Sequence, residues 1–266
     1  GDTYAKLTRP VSHDDVKRAI RAGWDAMSDS YQSQSHISTD DVHYAPLAPG
    51  ERELGLLGGV IGKSVLELAC GSAQNSIALA KWGARVTGLD ISPRQLRKAK
   101  DLAAAEGARV SLVLGDMECL GTFRDESFDV VLSSFGWEFA PDPSTCVREC
   151  YRVLGPNGLL VVATVHPLSA FEWDEGEKAL LVTDYFNPPV ELWGGRAGGV
   201  GRPAITFFRT VEEMFELLTG AGFSVERLLE PSPYPAQPPP ESRSPYAGPY
   251  WEGYEERLRR VPFAVV

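Results

Sequence analysis

The stretch "VLELACGSAQNS", Val65 to Ser76, decides the fold. An apolar run carries an acid at Glu67, meets a turn of small residues and passes into polar residues that open a helix. Small residues let a backbone approach a ligand closely, and the first amides of the following helix point into the same crevice. A tight strand-to-helix turn alone would also want small residues, so the neighbouring segments must arbitrate. They repeat the pattern. "ARVTGLD" is a second strand candidate, followed by a helix capped at Ser92, with Pro93 in its first turn and Gly107 as its terminator. "ARVSLVLGD" and "FDVVLSS" read as the third and fourth strands. "PSTCVRECYRV" reads as a helix ended by Gly-Pro-Asn-Gly, and "GLLVVATV" as the fifth strand. Strands alternating with helices predict βαβ units and a parallel sheet.

Upstream, Ser12 with Asp14 and Asp15 predicts a helix start, and Val16, Ile20 and Trp24 form an apolar stripe to about Ser30. Residues 31–50 read as loop, with His36 and His43 exposed. Residues 167–204 lose the βα rhythm. Thr210 caps "VEEMFELLTGAG", "FSVERLLE" predicts a sixth strand and "VPFAVV" a seventh, with a short helix at "YWEGYEERLRR" before it. The Pro-rich stretch 231–249 has no regular structure.

The formal net charge is −10, which argues against a phosphate-backbone partner. The four cysteines, at 70, 119, 146 and 150, form no Cys-x-x-Cys pair, so they read as reduced thiols of a cytoplasmic protein. The first ten residues hold no apolar h-region, and no apolar run nears the roughly 20 residues that span a bilayer. No membrane role is expected.

Three acids close three successive strands. Glu67 ends the first, Asp90 ends the second 23 residues on, and Asp116 ends the third. An acid about 20 residues past the first turn accepts hydrogen bonds from ribose hydroxyls. A carboxylate at the third strand suits an adenine amino group. "VLELACGSA", "VTGLDIS", "LVLGDM" and "FDVVLSSFGWEF", followed by "VLGPNGLLVVAT", together resemble the class I S-adenosylmethionine-dependent methyltransferases in order and spacing. The resemblance implies an α/β fold: a doubly wound, Rossmann-like, mostly parallel sheet of seven strands with an antiparallel C-terminal strand. It also implies an organisation. Residues 1–50 form a helix and lid, 51–166 the cofactor core, 167–209 a substrate cap, and 210–266 the completion of the sheet.

Residue by residue, the resemblance assigns Glu67, Ala69, Cys70, Gly71 and Ser72 to the methionine end of S-adenosylmethionine. Asp90 falls to the ribose, Ile91 and Met117 to adenine, and Asp116 to its amino group. Ser133 offers a carbonyl to the ammonium, and Asn75 and Tyr31 complete the cofactor contacts. The family prefers glycine where Ala69 and Ala73 stand. If either position needs φ > 0, the loop must shift.

Methyl transfer needs a nucleophile held about 3 Å from the methyl carbon and water excluded. His166, after the fifth strand, is the first candidate base; the alternative is a residue that caps the strand or bonds the Pro167 loop. Glu138 is the second. Trp137, Tyr185 and Arg209 are candidate acceptor contacts, Arg209 alternatively forming a structural ion pair, and Trp24 reads as core packing. The aromatics Phe171, Trp173, Tyr185, Phe186, Trp193, Phe207 and Phe208 suggest a flat or apolar acceptor. The expected activity is metal-free methyl transfer to O or N of a small molecule, such as a secondary metabolite, by a monomer or homodimer. The alternatives are a tRNA or protein-terminus methyltransferase, or a cofactor-binding protein that transfers no methyl. A nicotinamide dehydrogenase would want Gly-x-Gly-x-x-Gly, which "ACGSAQNS" lacks.

Overall fold

The computed structural model describes residues 12–193, 204–235 and 243–266. The expectations for residues 1–11, for 194–203 of the insertion, for 236–242 of the Pro-rich stretch and for the Trp193 side chain lie outside the described residues.

In chain order the main elements are α1 (His13–Gln34), β1 (Ser64–Leu68), α2 (Gln74–Lys81), β2 (Arg85–Asp90), α3 (Pro93–Ala105), β3 (Val110–Leu114), β4 (Phe128–Ser134), α4 (Pro143–Val153), β5 (Leu154–Val165), α5 (Val211–Gly220) and β6 (Ala264–Val265). The caps are those the sequence predicts. Ser12 accepts from the Asp15 amide, Ser92 from that of Gln95, and Thr210 forms a capping box with Glu213.

The strand order is β6-β5-β4-β1-β2-β3, parallel throughout except for β6, which runs antiparallel to β5. Successive strand residues face opposite layers. Leu66, Leu68 and Val131 pack with Val147, Val153 and Met214 on one face. Val65, Val130 and Leu132 pack with Ala78 and Leu79 of α2 on the other. Both faces are therefore covered, as a doubly wound sheet requires. Each fully buried Leu or Val contributes roughly 1.5–3 kcal/mol. The chain leaves β1 in one direction for β2 and β3 and in the other for β4 and β5. That reversal opens a crevice at the carboxyl ends of β1 and β4.

Among the described residues the sheet has six strands, not seven. "FSVERLLE" forms no strand: Leu229 and Val266 exchange a reciprocal pair of backbone bonds (2.8 and 2.9 Å), and the ladder goes no further. The partner strand is two residues long, Pro262 before it has no N–H to give, and the Phe263 carbonyl is taken by the His166 amide. Two segments read as irregular, 31–50 and 231–249, supply a two-residue antiparallel pair, His36–Ile37 with Tyr246–Ala247, and three boundaries also differ. α1 runs to Gln34. β5 begins at Leu154, with Gly-Pro-Asn-Gly as an irregularity inside it. "YWEGYEERLRR" splits into two short helices, Pro249–Glu252 and Glu255–Arg260. The insertion holds two small antiparallel pairs, Glu172–Asp174 with Ala179–Leu181 and Glu191–Trp193 with Ala204–Thr206. α1 lays Val16 and Ile20 against Ile205 of the second pair and Phe139 beyond β4.

Candidate active site

A cavity of about 540 Å³ opens at the carboxyl ends of β1, β2 and β4, roofed by α1 and by the C-terminal segment around Tyr246. Its floor is the turn after β1. Gly71 has φ 55°, and so, unexpectedly for side-chain-bearing residues, do Ala69 (φ 51°) and Ala73 (φ 63°) lie in the left-handed region. The loop keeps that shape without glycine at these two positions, at about 1–2 kcal/mol for each alanine. Space for the methyl comes from the facing strand exit, where a Cβ added at Gly136 would overlap the Ala69 methyl.

The three strand-end acids converge on this cavity. Asp90 is buried, and its two carboxylate oxygens accept from the amides of Gly71 and Ser92, both at 2.8 Å. It therefore ties the turn after β1 to the turn after β2. Burial pushes its carboxyl up to about 6, against those amide bonds. Glu67 accepts from the Ser76 hydroxyl, and burial pushes it up to about 7. Asp116 accepts from the Glu118 amide (2.9 Å) and pairs with Lys17 of α1 at 2.6 Å. Lys17 also reaches Glu118, and the α1 residue Asp25 accepts from the Ser92 hydroxyl at 2.6 Å. The roofing helix is thus fastened to the ends of β2 and β3. Tyr31, Ala69, Cys70, Asn75, Ile91 and Met117 also line the cavity, and Trp24 does so while packing edge-on against Phe139.

Glu138 lies on the cavity in the turn Trp137–Phe139 after β4. It is buried, accepts from the Thr164 hydroxyl at 3.1 Å, and is pushed up to about 7 by desolvation.

Five candidates are placed elsewhere. His166 does not line the cavity: its Nε2 bonds Glu230 at 2.9 Å, and its Nδ1 accepts from the Leu168 amide at 3.1 Å, which caps the turn Pro167–Ala170. Both ring nitrogens are engaged, as the capping alternative has it. Ser133 is enclosed between β1 and β5, and the lining begins at Ser134. Trp137 is turned into the main core. The Arg209 guanidinium donates to the Trp137 carbonyl at 3.4 Å and to that of Ala140, so it braces the turn that carries Glu138. Tyr185 packs with Ala170, Phe171 and Phe208.

The aromatic lining also comes from unexpected places. Among the insertion's described aromatic side chains only Phe208 reaches the cavity, while Phe186 is 77 % exposed. Phe135, Tyr246, Tyr250, Trp251 and Phe263 line it instead. His43, expected to be exposed, is buried against Phe135 and Tyr246. No periodicity in its polar loop signals this.

A doubly wound sheet whose strand-end carboxylates and left-handed turn surround one deep crevice defines a nucleoside-cofactor enzyme of the Rossmann-like class. The donor set fits S-adenosylmethionine: acids for hydroxyl and amino donors, and the buried Asn75 Nδ2, a neighbour of Glu67 that makes no hydrogen bond of good geometry among the described residues. Residues 66–162 match the family model described as a methyltransferase domain. The uncharacterized methyltransferase YbaJ of Bacillus subtilis is 39 % identical over 175 residues, 64 % of this chain and 69 % of that protein. A ubiquinone biosynthesis O-methyltransferase of Idiomarina loihiensis is 34 % identical over 108 residues, 41 % of this chain and 44 % of its own length. The crystal structure of an S-adenosylmethionine-dependent methyltransferase from Mesorhizobium loti aligns with TM-score 0.63 at 25 % identity, covering 80 % of this chain and 93 % of that one. The chain belongs to the class I S-adenosylmethionine-dependent methyltransferases, and S-adenosylmethionine is its cofactor. Among the described residues no helix is long and apolar enough to cross a membrane.

Proposed function

We propose that the enzyme methylates an oxygen or nitrogen atom of a small, flat molecule of the secondary-metabolite kind, without a metal ion, and that Glu138 takes the acceptor's proton. The carrying observation is Glu138 itself, a buried carboxylate on the same cavity as Asp90 and Asp116. Its carboxyl sits at about 7, and a base poised near the working pH is the effective one. When bound, the cofactor supplies a methyl group on a positively charged sulfur, open to in-line displacement. The chain's own part is different. Thr164 holds one Glu138 oxygen, Arg209 fixes the turn beneath it, and Trp24, Phe135, Phe139 and Trp251 exclude water from the acceptor's place. Asp90 and Asp116 hold the adenosine, and α1 is the lid over it. Among the described residues no three His, Cys, Asp or Glu side chains gather as metal ligands. The similarity to an O-methyltransferase of ubiquinone biosynthesis agrees with a ring-shaped acceptor. The four free thiols suit a reducing compartment such as the cytoplasm.

The test is incubation with S-adenosylmethionine and a panel of phenols, amines and carboxylates, with products weighed by mass spectrometry. One added methyl on a phenol or amine is expected, formed far more slowly by Glu138→Gln. Cofactor uptake with no methylated product from any acceptor would favour the cofactor-binding protein that transfers no methyl.

A further inference from the structure

His43 has no part in the reading above, yet its position is closely specified. Its amide donates to Asn75 Oδ1 at 3.1 Å, and its carbonyl accepts from the Ser134 hydroxyl at 2.8 Å. The loop is therefore fixed to the start of α2 and to the exit of β4. The ring lies parallel to Phe135 (centroids 6.3 Å apart, 11°) and edge-on to Tyr246 at 4.8 Å. It lines the cavity and is 7 % exposed; the Asn75 side chain is a polar neighbour of the ring, yet Nδ1 makes no hydrogen bond of good geometry with any described residue. A buried polar atom without a partner is costly, so its retention calls for a ligand that completes it.

The neighbours say which ligand. Phe135 and Tyr246 belong to an aromatic cluster with Trp251 and Phe263 at the C-terminal side of the cavity. The adenosine-side acids lie against Gly71, Ser92 and Lys17. A line of polar groups runs from His43 past Tyr246, whose hydroxyl is 2.8 Å from that of Tyr31, to Glu138, whose charge Tyr31 feels. Burial keeps the imidazole neutral near pH 7, so it reads a neighbour by hydrogen bonding and not by charge.

We propose that His43 Nδ1 hydrogen-bonds a second polar group of the acceptor, so that the acceptor is a flat ring with two polar groups, one methylated beside Glu138 and one read by His43. This rests on the acceptor reading given above, with Glu138 at the methylated atom.

The test uses wild type, His43→Phe and His43→Asn, each saturated with S-adenosylhomocysteine, titrated with naphthalene-2,3-diol and with 2-naphthol. Wild type should bind the diol about tenfold more tightly, one hydrogen bond's worth. His43→Phe should bind the two probes alike. His43→Asn, which keeps a polar atom near the Nδ1 position, should retain at least a threefold preference. The dissociation constant for S-adenosylhomocysteine should stay within twofold in all three. In the wild type alone, the diol should also move the imidazole ¹⁵N resonance that His43→Asn removes, a readout that survives if the Phe variant does not fold. Equal binding of both probes by wild type, binding of neither, an unmoved resonance, or an undiminished preference in His43→Phe overturns the proposal. A tenfold loss of S-adenosylhomocysteine affinity in His43→Phe does so too, since it would make His43 a cofactor ligand. Failure of wild type to bind S-adenosylhomocysteine would instead overturn the functional reading beneath it.

Discussion

Cofactor affinity should fall as the medium is acidified, through Asp90. Its carboxyl stands at about 6 in the ligand-free protein because burial disfavours the charge more than the two backbone amides favour it. Ribose hydroxyls donate, so they bind the ionised form. At pH 7 about nine-tenths of Asp90 is ionised and at pH 5 about one-tenth, so the dissociation constant should be roughly tenfold larger at pH 5, about 1.4 kcal/mol. Glu67, pushed up to about 7 and assigned to the methionine end of the cofactor, titrates in the same window and makes the wild-type dependence steeper. The contribution to stability runs the other way. A carboxyl raised from 3.8 to about 6 on folding favours the folded state most below pH 3.8 and loses that contribution as pH rises through 6, roughly 3 kcal/mol at the limit. The ligand-free protein should therefore gain melting temperature between pH 7.5 and 5.5 from this group, while the shift produced by S-adenosylhomocysteine shrinks. Isothermal titration of that ligand at pH 5, 6 and 7 in wild type and Asp90→Asn measures the share of Asp90. The Asn variant should bind at least tenfold more weakly at pH 7 and show a flatter profile. Affinity independent of pH in wild type, or an Asn variant with an unchanged slope, would refute the assignment of Asp90 to the ribose.

Glu138→Gln should lower kcat by about 10²–10⁴ on an active acceptor while S-adenosylhomocysteine binds within threefold, and a rate within twofold of wild type would remove Glu138 as the base. Arg209→Met takes away the charged donor to the Trp137 and Ala140 carbonyls, which should cost roughly 2–3 kcal/mol and lower Tm by roughly 4–12 °C. A melting scan that shifts by under about 2 °C would mean the brace is dispensable. Gly136→Ala should destabilise because its new methyl overlaps that of Ala69, and Ala69→Gly in the same chain should recover most of the loss. Additive losses in chemical denaturation would show that the two sites do not touch.

The legible part of this molecule is the part fixed by local chemistry. Caps at Ser12, Ser92 and Thr210 need only a hydroxyl and the amide three residues on, and they are found as read. Glu67, Asp90 and Asp116 announce themselves because each ends an apolar run, and a parallel sheet brings strand ends of one polarity to one edge. What misleads is partner choice across long separations. His166 stands where a base would be useful, but Glu230, 64 residues away, holds its Nε2. His43 lies in a polar loop, and its burial depends on Asn75 and Ser134, 32 and 91 residues distant. Aromatics crowd the insertion, yet their number does not say which surface they cover. Phe171 does not reach the crevice and packs behind Phe208, while Tyr246, inside the Pro-rich stretch, and Trp251, just past it, supply the wall.

The turn after β1 shows how a local rule is broken and accommodated. Glycine is the residue for φ > 0, and here two alanines hold φ 51° and 63°. The strain of about 1–2 kcal/mol each survives because the surroundings leave the turn no alternative. The Cys70 amide is held by the Leu89 carbonyl at 3.0 Å, that of Gly71 by Asp90 at 2.8 Å, and that of Ala73 by the Cys70 carbonyl at 2.8 Å. The Ala69 methyl and the neighbouring Cys70 side chain are met by glycines, one just past the end of β4 and one on β2. Gly136 faces Ala69, and Gly88 on β2 leaves room for Cys70, whose sulfur would stand 2.9 Å from any Cβ added there. At Ala69 the small residue is now on the opposite side of the contact, at Gly136, and the acid that anchors the loop, Asp90, also lines the cavity. With the ribose role proposed for Asp90, loop geometry and cofactor recognition share one carboxylate, so a substitution there should disturb both the shape of the turn and the affinity for adenosine.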